Sequence, residues 1–502
     1  MVAIVSSIIL SGAHGALIEI EVDAKAGLPG VHIVGMSSKA IDEARERVRS
    51  AITNSLLTFP TKKLTINLAP AELPKDGAQL DVSIALAILI GSEQLRSTEV
   101  AGALCVGELA LDGRLRPIKG ALVIAEAAQK AGYTRLFLPA ENAKQAALVE
   151  NIAVYGVSTL KDLYLILKGV IIPDQATPPP LKAPPRSTKQ LSSIIGQAAA
   201  KRALVIAASG RHNILLYGPP GVGKTLLGHA LKEILPPLSR SEIIEVTKLH
   251  SLTRSDADIS LTPPFRAPHH HTTTTALIGG GSVPRPGEIS LAHRGVLFLD
   301  EILEYPRASL EALRQPLEDK TISLTRAYGR IQYPANFLLI ATANPCPCGF
   351  YGDERHECRC SATQILQYQK KLSGPLIDRI DMVISLSRPD EFIVSSSTTL
   401  QEKQQLTVLD EMNVARKAQA FRYNRSDEYN GNHSNEHSFL THTLTPEARQ
   451  LVDSATKQLD ISLRGHQKIV AVARTIADLS GSKNILPAHI AEALQFRLKP
   501  FS

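Results

Sequence analysis

Three short apolar runs in the middle of the chain predict the buried strands of a parallel sheet. They are residues 213–217 (Asn-Ile-Leu-Leu-Tyr), 295–299 (Gly-Val-Leu-Phe-Leu) and 337–343 (Phe-Leu-Leu-Ile-Ala-Thr-Ala). A strand that is covered on both faces is apolar throughout, whereas a half-exposed strand alternates. Glycine or polar residues follow each run at once, so the chemistry of the chain is expected at these strand ends.

The first 172 residues predict a separate α/β domain. Strands such as residues 63–68 alternate there with helices such as residues 120–131. The apolar stretch 1–10 is interpreted as a first strand and not as a signal peptide, because Lys25 is the first basic residue.

Changes in composition mark the remaining boundaries. Residues 173–186 are rich in proline and predict a stiff, extended linker. The apolar strands then define a second α/β unit over residues 187–390. Residues 391–502 show helical patterns and predict an all-helical domain, in which the polar run 423–437 is interpreted as a mobile loop.

Composition limits the possible classes of protein. The chain has 502 residues, 44% of them hydrophobic, and a formal net charge of +7. This charge is compatible with a polyanionic partner but does not require one. No uninterrupted apolar run is long enough to span a membrane, so no membrane partner is expected. Four of the five cysteines are clustered, which favours a reducing, cytoplasmic location over a disulfide framework.

The segment after the first apolar run predicts a phosphate-binding loop for ATP. It consists of Gly218, Pro219, Pro220, Gly221, Val222, Gly223, Lys224 and Thr225. In such a loop the backbone N–H groups surround phosphate oxygens, the lysine reaches the β- and γ-phosphates, and the hydroxyl of Thr225 binds Mg²⁺. The following residues 226–231 have a helical pattern, which completes the strand–loop–helix context that the motif needs.

Polar residues at the other strand ends complete a predicted ATPase site. Asp300 is suited to hold Mg²⁺, and Glu301 to polarise the water that attacks the γ-phosphate. Asn344 either orients that water or begins a turn before a proline. Arg379 lies in a short polar interruption of an apolar segment, where it is either an ion-pair partner or a cation that neutralises charge in the transition state.

Two Cys-x-Cys pairs predict a structural zinc site. Cys346, Cys348, Cys358 and Cys360 can enclose a tetrahedral Zn²⁺, with His356 as a possible substitute ligand. The alternative is four reduced or redox-labile thiols.

These features together resemble the AAA+ ATPases of the magnesium-chelatase and MCM-like branch. The resemblance rests on Ile195-Gly-Gln197, the phosphate loop, the Asp-Glu strand, residues 376–379 (Leu-Ile-Asp-Arg) and Ser462-Leu-Arg464. It implies a P-loop AAA+ core over residues 187–390 with a cysteine-rich insertion at 345–361, followed by a helical lid domain at 391–502. It also implies a hexameric ring, with Asn344 as sensor 1, Arg379 as arginine finger and Arg464 as sensor 2, acting in its own or a neighbouring subunit.

A narrower resemblance covers nearly the whole chain. Residues 265–270 (Phe-Arg-Ala-Pro-His-His), 284–293 and 344–349 (Asn-Pro-Cys-Pro-Cys-Gly) are similar to the ComM family, which is YifB-type and magnesium-chelatase-like. This implies a homo-hexameric motor that uses ATP to promote branch migration during natural transformation and homologous recombination. Its expected partners are single-stranded and branched DNA, with recombination proteins as further candidates. The alternatives are a magnesium-chelatase motor subunit and an ATPase scaffold that remodels proteins.

Two segments are candidate DNA contacts. His269 and His270 lie in a segment rich in donors that can bind phosphate, and Arg326 and Arg330 flank the aromatic tip of a predicted hairpin. The alternative is a hairpin at the ring interface whose arginines touch protein.

Residues 1–172 resemble the proteolytic domain of Lon-type proteases. The similar stretches are 73–77 (Leu-Pro-Lys-Asp-Gly), 107–118 and 138–142 (Leu-Pro-Ala-Glu-Asn). Alignment on them places Gln79 at the position of the nucleophilic serine and Leu122 at that of the lysine base. The resemblance therefore implies a catalytically inactive Lon-like α/β domain, because hydrolysis needs both groups.

Overall fold

The computed structural model describes most of the chain, with short gaps. The described residues are 2–35, 38–70, 72–73, 75, 77–184, 188–256, 258–281, 284–326, 329–388, 398–433 and 443–497. The predicted boundaries at 186/187 and 390/391 lie outside them. Within these ranges, none of the helices combines the length and the apolar character needed to cross a membrane.

The N-terminal third is built on two sheets. Its elements in chain order are β1 (Val2–Ser11), β2 (His14–Lys25), β3 (Gly30–Val34), α1 (Ser38–Asn54), β4 (Lys63–Ala69), α2 (Asp81–Gly91), α3 (Ser97–Val100), β5 (Ala103–Cys105), β6 (Glu108–Leu109), β7 (Leu115–Arg116), α4 (Ala121–Lys130), β8 (Arg135–Pro139), α5 (Ala140–Ala146), β9 (Ala153–Val157) and α6 (Leu160–Leu167). One sheet has the order β1-β2-β4-β3 and the other β5-β8-β9. The predicted first strand is confirmed. Cys105 is buried in β5.

The central part forms a five-stranded sheet in which every neighbouring pair is parallel. The elements are α7 (Lys189–Ser193), α8 (Ala198–Gly210), β10 (Ile214–Tyr217), α9 (Lys224–Ile234), α10 (Arg240–Ser251), β11 (Phe265–Arg266), α11 (Thr274–Ile278), β12 (Gly279–Gly280), β13 (Arg285–Pro286), α12 (Glu288–Leu291), β14 (Val296–Leu299), α13 (Arg307–Ala312), α14 (Arg314–Asp319), β15 (Thr321–Arg326), β16 (Gly329–Pro334), β17 (Leu338–Ala343), α15 (Ala362–Gln369), α16 (Gly374–Ile377) and β18 (Met382–Ser385). The sheet order is β11-β14-β17-β10-β18. The three apolar runs are its inner strands β10, β14 and β17, which confirms the parallel sheet expected from their composition.

The described residues beyond 397 are helical, as predicted. They form α17 (Thr398–Tyr423), α18 (Pro446–Gln458), α19 (Leu463–Leu479) and α20 (Pro487–Gln495). These helices share one apolar core with α8, α9 and the sheet, to which Leu204, Ile214, Val472 and Ile490 all belong. The nucleotide-binding half and the C-terminal helices are therefore stabilised by the same buried surface.

The prediction of a mobile loop after Tyr423 is wrong for residues 427–432, which pack on the rest of the chain. Tyr429 and Asn430 are fully buried there. Tyr429 is stacked between two guanidinium groups, with the Cζ atoms of Arg211 and Arg416 at 4.6 and 3.8 Å from its ring centre. The Asn430 amide donates to Thr475 Oγ1 at 3.0 Å and to Asp478. The polar side chains of Asp427 and Asn430 are buried and paired, whereas Asn424, Arg425 and Ser426 are exposed to solvent.

The N-terminal third packs directly on the central part. Gly120 N donates to Ser251 O at 2.9 Å, and Lys248 Nζ donates to Glu126 Oε2 at 2.5 Å. The proline-rich segment begins on the first unit, where Ala176 N donates to Val154 O, and ends on the second, where Leu181 packs against a small apolar cluster. The described part of the linker, residues 173–184, thus contacts both units.

Candidate functional site

Parallel pairing brings three strand ends to the same edge of the central sheet. Tyr217 pairs with Ala343, and Leu299 pairs with Ala341. The residues that follow are therefore neighbours: Gly218 begins the phosphate loop, Asn344 follows β17 and Asp300 follows β14. Gly218 N also donates to Ala343 O at 3.2 Å. This is the edge at which ligands bind to open α/β sheets.

The phosphate loop has the backbone conformation that its glycines allow. Gly221 and Gly223 have φ angles of +83° and +88°, a region that side-chain-bearing residues rarely adopt. Gly223 also directly precedes the first turn of α9. The backbone N–H groups at this helix start are unpaired within the helix, so the loop can bind an anion.

Lys224 is a buried cation that faces neutral acceptors. Its side chain donates to the carbonyls of Gly218 and Pro219 at 2.7 and 2.8 Å and to Asn344 Oδ1 at 2.9 Å. Within the described ranges no carboxylate lies at ion-pair distance from its ammonium group. Burial lowers the pKa of Lys224 to about 8, although the charges of Asp300 and Glu301 oppose this. A phosphate group at the loop would supply the missing counter-charge, so the residues present fit a nucleotide.

Asp300 is held by two hydroxyl groups. Thr342 Oγ1 donates to one carboxylate oxygen at 2.6 Å, and Thr225 Oγ1 donates to the other at 3.0 Å. A hydroxyl and a carboxylate in contact beside a phosphate loop are the oxygen ligands that Mg²⁺ prefers. The predicted pair Thr225 and Asp300 is therefore adjacent in the structure.

Glu301 is exposed beside this pair. Its backbone has a left-handed φ of +52°, and its N–H donates to Thr342 Oγ1 at 2.8 Å. A non-glycine residue in this conformation is strained, which is common where a side chain must be aimed at a reacting group. Thr342, which sequence reasoning did not single out, thus orients both acidic residues.

A cleft of about 700 Å³ opens next to the phosphate loop. Ile195 and Leu226 line it with exposed apolar side chains, and Gln197 and His229 add polar groups. Such a lining suits the base and ribose of a nucleotide. Two further lining residues, Arg355 and Arg388, were not identified from the sequence. No local pattern distinguishes them from ordinary surface arginines.

Arg379, the predicted arginine finger, lies next to Arg464, the predicted sensor 2. Both contact Glu318 at the end of α14: an Nη2 atom of Arg379 donates to one carboxylate oxygen, and Arg464 Nη2 donates to the other at 2.6 Å. The two guanidinium groups lower the pKa of Glu318, against the opposing effect of partial burial. Neither arginine lines the cleft of its own chain.

A buried ion pair joins the segments that carry these arginines. Lys468 on α19 lies 2.6 Å from Asp381, and both side chains are at least nine-tenths buried. Asp381 also accepts from Asn213 N at 2.7 Å. Arg497 donates to the carbonyl of Ile380 from the C-terminal side. Arg379 and the helix that begins near Arg464 are therefore fixed relative to each other.

The four clustered cysteines converge. The Sγ atoms of Cys346, Cys348 and Cys358 are separated by 3.4 to 3.6 Å, and all four, including Cys360, lie within 4.8 Å of one another. Tetrahedral zinc with four thiolates needs sulfur separations of about 3.8 Å. Donated N–H groups, led by that of Phe350, lower the pKa of Cys348 to about 6. The residues fit a structural zinc ion, whereas His356 is paired with Asp353 and stacked on Phe350.

The candidate DNA contacts are at the surface. The rings of His269, His270 and His271 cluster in tilted arrangements, with centres 4.1 to 5.1 Å apart, ahead of α11. Strands β15 and β16 form the predicted hairpin, and Arg330 on β16 is exposed and donates to Ser323 Oγ at 3.0 Å. The side chain of Arg326 and the tip of the hairpin lie outside the described residues.

The Lon-like positions hold no hydrolytic groups. Leu122 is fully buried in α4, and Gln79 donates from its amide to the carbonyl of Ile8 at 3.4 Å. Their side chains offer neither a nucleophile nor a base.

Family models cover most of the chain. "Magnesium chelatase, subunit ChlI" matches residues 190–392, "Subunit ChlI of Mg-chelatase" matches 20–142, and "Magnesium chelatase, subunit ChlI C-terminal" matches 403–497. The matched regions include the phosphate loop and the acidic strand end. These models indicate an AAA+ ATPase that uses ATP and Mg²⁺.

Similar proteins span nearly the same length. The chain is 41% identical to the YifB protein of Salmonella typhimurium, covering 99% of this chain and 97% of that protein. It is 38% identical to the competence protein ComM of Haemophilus influenzae, again over 99% and 97% of the two chains. A shorter similarity, 31% over 150 residues, joins it to Lon protease 2 of Bacillus subtilis and covers 28% of this chain and 27% of that protease.

Proposed function

The chain belongs to the magnesium-chelatase-like family of YifB and ComM proteins, and on this premise we propose that it is an ATP-driven DNA motor. In this proposal it forms a homo-hexameric ring and promotes branch migration during natural transformation and homologous recombination. The observation that carries the proposal is the meeting of Lys224, Asp300 and Asn344 at one sheet edge. The similarity to a competence protein over nearly the whole length supports the process assigned to it.

The residues at the sheet edge have distinct roles in ATP hydrolysis. The N–H groups of the phosphate loop and the ammonium of Lys224 would hold the phosphates. Thr225 and Asp300 would hold Mg²⁺, which supplies positive charge to the phosphate oxygens when it is bound. Glu301 polarises the attacking water, and Asn344 orients it from the neighbouring strand end.

Two arginines complete the site from a neighbouring subunit. Arg379 and Arg464 lie on Glu318 and away from the cleft of their own chain, which supports a role across a ring interface for both. A guanidinium group that reaches the γ-phosphate neutralises the charge of the transition state. A ring is therefore needed for turnover but not for ATP binding.

DNA would bind through groups that contact its backbone and bases. Arg330 is exposed on a hairpin, and the neighbouring rings of His269 and His270 provide nitrogens that can donate to phosphates. The net charge of +7 is favourable for this partner. Arg326 is the second proposed hairpin contact.

The remaining parts would support the motor. The Lon-like unit assembles the ring or guides DNA without proteolysis, since Gln79 and Leu122 provide no catalytic groups. The four cysteines hold a structural zinc ion next to Asn344. The C-terminal helices act as the lid of the ATPase core.

The decisive experiment measures ATP hydrolysis and strand displacement in the same preparations. Hydrolysis is followed without DNA, with single-stranded DNA and with a branched junction, and junction movement is followed by gel. The wild-type protein should be stimulated by DNA and should move the junction. Arg330→Ala should lose DNA binding and stimulation but keep basal hydrolysis, and Lys232→Ala on α9 serves as a matched control. An ATPase that ignores both DNAs and moves no junction would exclude the proposal.

A magnesium-chelatase motor subunit is the second candidate function, because all three matching family models carry that description. Its test is ATP-dependent insertion of Mg²⁺ into a porphyrin by the remaining chelatase subunits. Substitution of this chain for their own motor subunit should restore that reaction only under the second hypothesis.

A further inference from the structure

The cysteine-rich insertion lies against the phosphate loop. It starts one residue after Asn344, whose side chain contacts Lys224. Gly349 packs on Pro220 so closely that a Cβ atom at this glycine would lie 2.9 Å from Pro220 Cδ. Gly349 also has a left-handed φ of +86°. The insertion therefore forms part of the wall of the nucleotide cleft.

Arg355 projects from the insertion into the lining of this cleft. Among the residues that the structure describes, no carboxylate pairs with its guanidinium group. The neighbouring Asp353 accepts from Arg355 N at 2.8 Å and lies 3.2 Å from the guanidinium of Arg388, which also lines the cleft. The Asp353 side chain is almost completely buried. Asp353 thus fixes the backbone at Arg355 and links the insertion to Arg388, in the segment that follows β18.

The four thiols determine where this segment can lie. Arg355 belongs to the stretch between the two Cys-x-Cys pairs. Cys346 and Cys358, one from each pair, bring the two ends of this stretch together, with their Sγ atoms 3.6 Å apart. Among the described residues, the internal contacts of this stretch are the Phe350–His356 ring contact and a few local polar contacts, such as the hydrogen bond from Asp353 N to Phe350 O. A segment this short and polar has little apolar surface to bury, so a bound metal would supply most of its ordering free energy.

We propose that the insertion is a metal-held wall of the nucleotide site, in which Arg355 binds the nucleoside triphosphate and the four-cysteine cluster keeps Arg355 in place. An unpaired guanidinium group beside a phosphate loop is a donor for phosphate or ribose oxygens. Loss of the metal or oxidation of the thiols releases the segment and removes this contact. ATP affinity therefore depends on the state of a cluster that takes no part in hydrolysis.

The first test measures the dissociation constant of a fluorescent ATP analogue without DNA. The full-length protein carries Glu301→Gln, so that hydrolysis does not interfere. Arg355→Ala should weaken binding by about tenfold or more, as expected for a lost charge-assisted hydrogen bond. Arg359→Ala, an exposed arginine of the same insertion, should bind within about twofold of the parent. Equal affinity of the Arg355 and Arg359 variants would overturn the contact.

The second test perturbs the cluster. Cys358→Ser and chelator-treated protein, both checked for metal by mass spectrometry, should bind the analogue as weakly as Arg355→Ala. Combining Cys358→Ser with Arg355→Ala should add no further loss, because both changes remove the same contact. Additive losses, or full affinity in metal-free protein, would overturn the coupling.

This inference rests on the nucleotide site of the proposed function but not on DNA. The dissociation constant of the ATP analogue can be measured even if the protein shows no activity in any DNA assay. The chelator arm uses folded protein, so it answers the question even if Cys358→Ser does not fold.

Discussion

Replacing Lys468 by methionine should destabilise the ATPase core strongly, although Lys468 touches no part of the nucleotide site. Methionine keeps the aliphatic length of the side chain, so little packing is lost. The charge partner of Asp381, 2.6 Å away, disappears. The uncompensated carboxylate remains in a fully buried position between β18 and α19.

The magnitude follows from what Asp381 retains. Removing one partner of a buried ion pair costs about 3–5 kcal/mol. Asp381 still accepts the N–H group of Asn213 at 2.7 Å, so the lower end of the range, about 3 kcal/mol, is expected. For a cooperative unit of this size, each kcal/mol lowers the melting temperature by about 2–4 °C. The expected shift is therefore about 6–12 °C.

Differential scanning calorimetry measures this shift. The transition of the ATPase core is identified as the one that moves upward when ATP and Mg²⁺ are added. Lys457→Met on α18, where the lysine is exposed, provides the matched control and should shift this transition by no more than about 1 °C. Two further variants complete the cycle: Asp381→Asn alone, and Asp381→Asn with Lys468→Met, which removes both charges.

Two results would refute the reasoning. One is a nucleotide-responsive transition that stays within about 1 °C of the wild type in Lys468→Met. The other is a double variant whose loss equals the sum of the two single losses, because a coupled pair must show an interaction energy.

Three further predictions concern the nucleotide site. Lys224→Ala should lose ATP binding, whereas Glu301→Gln should bind ATP and hydrolyse it poorly; equilibrium binding and phosphate release distinguish the two, and equal defects in binding would contradict their separate roles. Arg379→Ala should abolish turnover and spare ATP binding. If this variant retained turnover, another arginine would have to act as the arginine finger, and Arg314 would be the next candidate. ATP affinity should fall by up to tenfold per pH unit as the pH rises above about 8. The reason is that the pKa of Lys224 is lowered to about 8, so the free protein loses the ammonium form above this pH. An ATP affinity that stays constant from pH 7 to 9.5 in calorimetric titrations would contradict this lowered pKa.

The parts of the site that could be predicted are determined by short stretches of sequence. The phosphate loop, Asp300 and Asn344 each follow an apolar strand, and a parallel sheet brings such strand ends together whatever the rest of the chain does. Apolar runs and turn residues are short-range sequence signals, so they predicted that these residues would be neighbours, as they are in the structure. The convergence of the four cysteines likewise follows from two closely spaced pairs.

The parts that were missed depend on distant residues. Glu318 pairs with Arg379 across 61 positions and with Arg464 across 146, and no sequence pattern encodes such a meeting. Arg355 resembles any surface arginine until the insertion folds onto Pro220. The segment around Tyr429 misled the prediction because polar residues with buried partners look the same as polar residues in water.

Tyr429 and its surroundings also affect how the chain can fold during synthesis. The tyrosine ring fills a position beside Arg211 at the end of α8, and the apolar core under the central sheet includes residues from α17 to α20. The N-terminal unit closes its own cores with residues that leave the ribosome early. The ATPase sheet cannot bury its underside until nearly the whole chain has been made, so it must wait with apolar surface exposed. A stalled or truncated chain would therefore present a folded N-terminal unit joined to an incomplete ATPase core with exposed apolar surface, which is the kind of product that chaperones and proteases recognise.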